Sequence, residues 1–140
     1  MEKSKSVTDS VVEMTELVLP NDVNLLNNLK GGRLMHWIDI AAAMTASRHS
    51  NHIVATVSID SLVFKHPVRL GEMVKLTAKL QSVGNSSMNI KVTVWAENLQ
   101  SGHVILTNEA NLVFVALDDD GRPIRVPRLS HENLNESTPR

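Results

Sequence analysis

The stretch from Asn24 to Met44, NLLNNLKGGRLMHWIDIAAAM, limits what this chain can fold into more than any other. A polar loop leads into the Gly31–Gly32 pair, and an apolar run follows whose Ala41–Ala43 cluster has high helix propensity. A helix that is apolar nearly all round is one that other elements surround. One carboxylate, Asp39, interrupts the run. Burying a lone carboxylate costs on the order of several kcal/mol, so Asp39 must have a partner or a task. At three- and four-residue spacing Arg33, His36, Asp39 and Ala43 fall on one stripe, so His36 and Asp39 can share a face. The helix is expected to end near Arg48, in the Arg48-His49-Ser50-Asn51 segment.

The rest of the chain reads as the sheet that packs on this helix. Val11 to Leu19 is β-branched and ends at Pro20, which predicts a strand. Asn21 to Lys30 is rich in Asn and predicts a loop, with room for one short helical turn. Four further runs follow the helix. Ile53 to Asp60, Met73 to Gln81 and Met88 to Glu97 alternate apolar and polar residues, as half-buried strands do. Val104 to Leu117 is apolar on both faces in its second half, which predicts a strand covered on both sides. Gly71, Gly84-Asn85, Gly102 and Asp120-Gly121 mark the turns between and after them. The expected fold is α+β, one long helix wrapped by a five-stranded antiparallel sheet. Trp95, Val113 and Val115 fall on or near the outer sheet face, and an open sheet leaves edge strands that want pairing, so an oligomer is expected.

With 140 residues the chain fits a single domain, expected at 11–129, with polar tails over 1–10 and 130–140. Its net charge of −1, and an aromatic content of two Trp, two Phe and no Tyr, argue against nucleic-acid binding. Cysteine is absent, so no disulfide framework or thiolate metal site is available. The six His lack metal-ligand spacing, with His49 and His52 in a turn without partner carboxylates. No Gly-x-Ser-x-Gly elbow is present, and Gly31-Gly32 lacks the Lys-Ser/Thr of a phosphate-binding loop. No apolar run approaches the ~20 residues of a membrane span, and MEKSKSVTDS lacks the apolar segment of a signal peptide, so a cytoplasmic protein is expected.

Four motifs in order carry a family resemblance. They are Pro20-x-Asp22-x-Asn24 followed by GGRLMHWIDIAAAM, then Phe64-x-x-Pro67-Val68-x-x-Gly71-Glu72, then Val83 to Met88 (VGNSSM), and last FVALDDDGRPIRVP. Together they resemble the hotdog-fold acyl-CoA thioesterases, in the branch of bacterial and brain-type acyl-CoA hydrolases, over about Leu19 to Leu129. One departure is Asn27, where the family usually has Gly three residues after the loop Asn. Asn tolerates positive φ better than most residues, so the turn is expected to survive.

The resemblance implies a thioesterase that releases a free carboxylic acid and CoA with no cofactor and no metal. Asp39 would be the general base that activates water, or the nucleophile, with Ile38, Ile40 and Ala41–Ala43 shielding it. Asn24 would orient the water or donate to the thioester oxygen, and Gly31-Gly32 would supply oxyanion-hole N–H groups at the helix start. A structural Asp39 paired with Arg33, His36 or a neighbouring chain, an Asn24 that only shapes its loop, and a plain helix-start glycine pair are the alternatives from the residues alone. Lys65, Arg69, Ser86 and Ser87 match the CoA-binding positions, with Arg122, Arg125 and Arg128 as further candidates for the phosphates. The resemblance further implies that Asn24 and Asp39 meet across a subunit boundary, in a homodimer that assembles as a trimer of dimers. The same fold hosts acyl-carrier-protein dehydratases, for which His36 beside Asp39 would matter, and non-catalytic acyl-CoA sensors.

Overall fold

A computed structural model describes residues 4–60 and 64–130. The elements are β1 (Ser4–Lys5), β2 (Val12–Leu17), α1 (Gly31–Ser50), β3 (Ile53–Ile59), β4 (Met73–Val83), β5 (Ser87–Glu97), β6 (Val104–Leu117) and β7 (Arg128–Leu129), with 3-10 turns at Val7–Ser10 and Pro20–Asp22. The main sheet is antiparallel throughout, in the order β2-β4-β5-β6-β3. Because α1 intervenes between β2 and β3, those two strands end up at opposite edges.

Period-two alternation sorts the side chains. Leu76, Ala78 and Leu80 of β4, Ile90, Val92 and Val94 of β5, and Leu112, Phe114 and Ala116 of β6 are all buried against the helix. The helix offers Leu34, Ile38, Ala41, Ala42 and Ala46 in return, all fully buried. Alanine at three of these positions lets the sheet backbone come close, and Thr45 Oγ1 donates to the Ala78 carbonyl at 3.3 Å. Trp95, Val113 and Val115 lie on the outer face, half-buried, as the alternation requires.

The expected single long helix with a five-stranded antiparallel sheet curled over it is the fold observed, and two details add to it. The first is the side of the helix on which the sheet packs: it covers one side. Met35, Ile40 and Met44 stand on the opposite side, 37%, 37% and 41% exposed. A twenty-residue helix has an apolar stripe wider than this sheet can cover, so the remainder faces outward next to the β3 edge, where Ile53 and Val57 are also exposed. The second is the N-terminal tail. Residues 4–10 lie against the domain: β1 pairs in parallel with β7, Ser4 beside Arg128 and Lys5 beside Leu129, and Ser10 is fully buried. Lys5 Nζ donates to the Arg48 carbonyl at 2.9 Å and to Asn51 Oδ1, so this cation sits on the C-terminal end of α1 where helix carbonyls lack partners. Of the expected C-terminal tail, residues 131–140 lie outside the described residues.

His49 ties these pieces together. It is fully buried, and its Nε2 lies 2.7 Å from the Pro127 carbonyl. A carbonyl only accepts, so Nε2 carries the proton, and Nδ1 is left buried with no hydrogen-bond partner among the described residues. Burial holds the imidazole below its usual 6.5; the Pro127 bond opposes this, Lys5 and Arg128 reinforce it, and Asp9 opposes it weakly. The unfolded chain therefore takes up the proton first as pH falls, and stability that is complete above the unfolded value is lost below it. Urea midpoints should fall between pH 7.5 and 5.5 in the wild type. His49→Gln, which keeps a donor for Pro127 but does not titrate, should show a flatter dependence.

Candidate active site

The loop that precedes α1 is built by hydrogen bonds, and most of them involve motif residues. Asp22 is nearly buried; its Oδ2 accepts from Leu19 N at 2.8 Å while its Oδ1 lies 3.2 Å from Arg33 Nε. Its carboxylate thus joins the start of the loop to the first turn of the helix. Asn24 Oδ1 accepts from Leu26 N at 2.9 Å and Asn28 N at 3.2 Å, and the backbone closes with Asn24 N to Asn28 O and Asn27 N to Asn24 O. The second motif docks on this turn. Leu29 N donates to Val68 O and Leu70 N to Asn27 O, while Glu72 Oε1 accepts from Arg69 N at 2.8 Å. Gly71, at φ 87°, allows the chain to turn into β4 there.

Asn27 sits at φ 61°, in the left-handed region. The family's glycine is replaced by the residue that best tolerates this conformation, and the turn keeps its geometry. Leu25 and Leu26 at its tip are 102% and 74% exposed, so the loop presents two apolar side chains to solvent in the single chain.

With the Asn24 carbonyl oxygen held by two loop N–H groups, its amide NH2 is the part left to face outward. Asn24 can therefore donate to a ligand but has little capacity to accept from one. At the helix start, Gly31, Gly32 and Arg33 have N–H groups with no carbonyl one turn earlier in the helix, and the N-cap residue Lys30 supplies no side-chain cap. Neither glycine needs positive φ. A Cβ at Gly32 would meet nothing within 4 Å, and one at Gly31 only Phe64 at an ordinary 3.5 Å. The chain itself therefore leaves room for a Cβ at both positions.

Asp39 lies half-buried on the open side of α1. Thr56 Oγ1 donates to its Oδ1 at 2.9 Å. β3 places Thr56 on the helix-facing side, opposite Phe114, and a bulge between Thr56 and Ser58 follows at once. Among the described residues neither Arg33 nor His36 is the partner: Arg33 is held by Asp22, and Asp39 accepts a hydrogen bond from Thr56. Sequence reasoning missed Thr56. It is one Thr in an alternating strand, and nothing in the pattern shows which helix residue it opposes.

Within one chain these groups are brought near one another only in part. Asp39 is eight residues into α1, roughly 12 Å along the axis from Gly31 at 1.5 Å per residue. Among the described residues no hydrogen bond joins Asn24 to Asp39. The proposed CoA positions are split further. Lys65 and Arg69 are exposed in the segment before β4, and Ser86 and Ser87 lie at the β4–β5 hairpin after it, roughly 30 Å away along an eleven-residue strand. Of the further phosphate candidates, Arg128 Nη2 already donates to the carbonyls of Gly84 and Val126, and Arg125 Nη1 to Asn85 Oδ1. These two arginines fasten the C-terminal segment to the hairpin. Arg122 is exposed in a turn closed by Asp118, whose Oδ1 accepts from its N–H.

A family model for the Thioesterase superfamily matches residues 26–103. The chain belongs to the thioesterase superfamily. Among its relatives is the uncharacterized acyl-CoA thioester hydrolase YkhA of Bacillus subtilis, 40% identical over 128 residues that cover 91% of this chain and 74% of that protein. Among solved structures, an apo-hexameric acyl-CoA thioesterase superposes with a TM-score of 0.88 at 38% identity, covering 95% of this chain and 87% of the other. The acyl-CoA hydrolase of Staphylococcus aureus, solved with butyryl-CoA, CoA and CoA disulfide, superposes at 0.86 with 35% identity, covering 91% and 77%. That enzyme has also been solved as an Asn→Ala, an Asp→Ala and a Thr→Ala variant, at positions spaced 15 and 17 residues apart, the spacing of Asn24, Asp39 and Thr56 in this thioesterase-superfamily chain.

The left-handed turn in this thioesterase-superfamily chain can be tested on its own. Asn27→Val should destabilise the fold by about 1–2 kcal/mol, because a β-branched residue pays the full cost of positive φ. Asn27→Gly should be neutral or slightly stabilising. Thermal melts of the two variants beside wild type distinguish these outcomes.

Proposed function

We propose that the chain hydrolyses acyl-CoA thioesters to a free carboxylic acid and CoA, in a site assembled between two copies. The observation that carries this reading is the position of Asp39: fixed by Thr56, on the uncovered side of α1, about 12 Å along the axis from the helix start. A base that activates water needs to lie within roughly 6 Å of the carbonyl it serves, one hydrogen bond to the water and one contact from water to carbon. A thioester held at Gly31-Gly32 is out of reach of the Asp39 of its own chain. It is within reach of a second Asp39 if two copies pack through the exposed helix side and the β3 edge, where Met35, Ile40, Met44, Ile53 and Val57 want cover and the edge strand has unpaired backbone groups.

In that arrangement one copy supplies the electrophilic side. The N–H groups of Gly31 and Gly32, at the positive end of α1, stabilise the oxyanion that develops on the thioester oxygen. The outward NH2 of Asn24 donates to the same region. The other copy supplies Asp39. Thr56 binds one carboxylate oxygen, leaving Oδ2 to take the proton from water as it attacks. The carbon–sulfur bond then breaks and CoA leaves as the thiol, with the proton returned from Asp39. No metal or cofactor takes part. The split CoA positions fit the same plan, with Lys65 and Arg69 from one copy and Ser86 and Ser87 from another. Three such dimers would make a hexamer, and the existence of hexameric relatives supports an assembly of that size.

Asp39→Ala should lower kcat for thiol release by about 10²–10⁴ while the melting profile stays close to wild type. Thr56→Val should retain Asp39 but lose its orientation, with kcat down roughly tenfold and little change in KM. Mixing inactive Asn24→Ala and Asp39→Ala chains and letting them exchange should restore about a quarter of wild-type activity, since half of the dimers would carry one intact site out of two. No recovery after verified exchange would place Asn24 and Asp39 in the same chain's site and sink the shared arrangement.

A further inference from the structure

The β4–β5 hairpin turns through Asn85 and Ser86, closed by Gly84 N donating to the Ser87 carbonyl at 2.9 Å. Two-residue hairpin loops ordinarily take positive φ at one or both central positions, because only then does the turn match the twist of the strands. Neither Asn85 nor Ser86 does so. The C-terminal segment supplies the support that the turn's own conformation lacks. Arg128 Nη2 donates to the carbonyls of Gly84 at 2.6 Å and Asn85 at 3.2 Å. Val126 N donates to the Asn85 carbonyl at 2.9 Å, and Arg125 Nη1 to Asn85 Oδ1 at 2.6 Å. β6 takes the Ser86 carbonyl, which accepts from Ala116 N at 3.0 Å. The segment is itself fixed by the buried Val126 side chain and by the bond between Pro127 and His49.

Every carbonyl from Gly84 to Ser87 thus has a donor, and the groups left over are donors. Among the described residues the N–H groups of Asn85 and Ser86 and the hydroxyls of Ser86 and Ser87 have no hydrogen-bond partner. A Cβ at Gly84 would stand 2.5 Å from Ser87 Oγ, so glycine there leaves that hydroxyl its place over the turn. A turn with only donors to offer fits a ligand with only acceptors, and the phosphates of CoA are such groups. We propose that Arg128, with Arg125 and Asn85, is a positioning residue for the phosphate-bearing end of the substrate. It holds the Gly84–Ser87 turn so that the free donors receive the phosphates, and does not touch them itself. The proposal rests on the acyl-CoA reading given under Proposed function.

Calorimetric binding of CoA, and thiol release from acyl-CoA and from S-acyl-pantetheine, which has no phosphate, test this. Arg128→Gln should raise Kd for CoA and KM for acyl-CoA about tenfold, with kcat within about twofold of wild type. It should leave kcat/KM for S-acyl-pantetheine unchanged. Ser86→Ala with Ser87→Ala removes two donors and spares the clamp, and should raise Kd for CoA by a similar factor. In that background Arg128→Gln should cost about threefold or less, because part of what it positions is gone. A full tenfold there makes Arg128 a direct phosphate ligand and overturns the positioning role. An unchanged Kd in Arg128→Gln, or an equal loss with S-acyl-pantetheine, overturns the proposal as well. A wild type that binds CoA but releases thiol from no thioester overturns the functional reading instead, and the same Kd series then decides the role of Arg128.

Discussion

A curled sheet of five strands covers one side of a long helix and leaves the other side open, and the rest of this molecule depends on that limit. Were α1 enclosed, Asp39 would be a buried charge needing an internal counter-ion. On the uncovered side it needs only one donor, and Thr56 provides it from the edge strand. The same limit leaves Met35, Ile40 and Met44 without cover in the single chain. The carboxylate and the apolar residues around it thus pose one shared problem, and the proposed second copy of the chain would solve both parts.

The helix start follows a different rule. Its first turn has no acidic residue and no side-chain cap, and Lys30 at the N-cap position opposes the helix dipole. A helix optimised for its own stability would carry Ser, Asp or Asn there. The missing cap is compensated by the loop beneath it, where Asp22 binds Arg33 and the Lys30 N–H donates to the Asp22 carbonyl. The second motif, from Val68 to Glu72, holds the far side of that loop. Motif residues far apart in sequence therefore support a single turn, whose product is an uncapped row of N–H groups and one outward amide.

Much of this was legible in the residues. Alternation along β4 and β5 gave strand identity and facing, because a half-buried strand cannot hide its period. The alanine cluster and the glycine pair bracketed the helix, and Asn27 could be read as a left-handed position from its chemistry alone. What could not be read depends on distance across layers. Thr56 meets Asp39 only once the register between β3 and β6 and the seat of α1 are known. Arg128 looks like a phosphate ligand until the carbonyls of Gly84 and Val126 are placed beside it. β1 and β7 have two residues each, too few to show any period, so the N-terminal segment looked like a tail. Apolar composition along the helix does not say which of its sides is covered by the same chain.

The clasp between β1 and β7 has a consequence for the ways this chain can be rearranged. It sets Ser4 beside Arg128 and Lys5 beside Leu129, so the two ends of the domain lie side by side at the C-terminal end of α1, away from the loop that carries Asn24. A short linker could close the ends into a ring, and new ends could open at the exposed Leu99–Gly102 turn without breaking a sheet pairing.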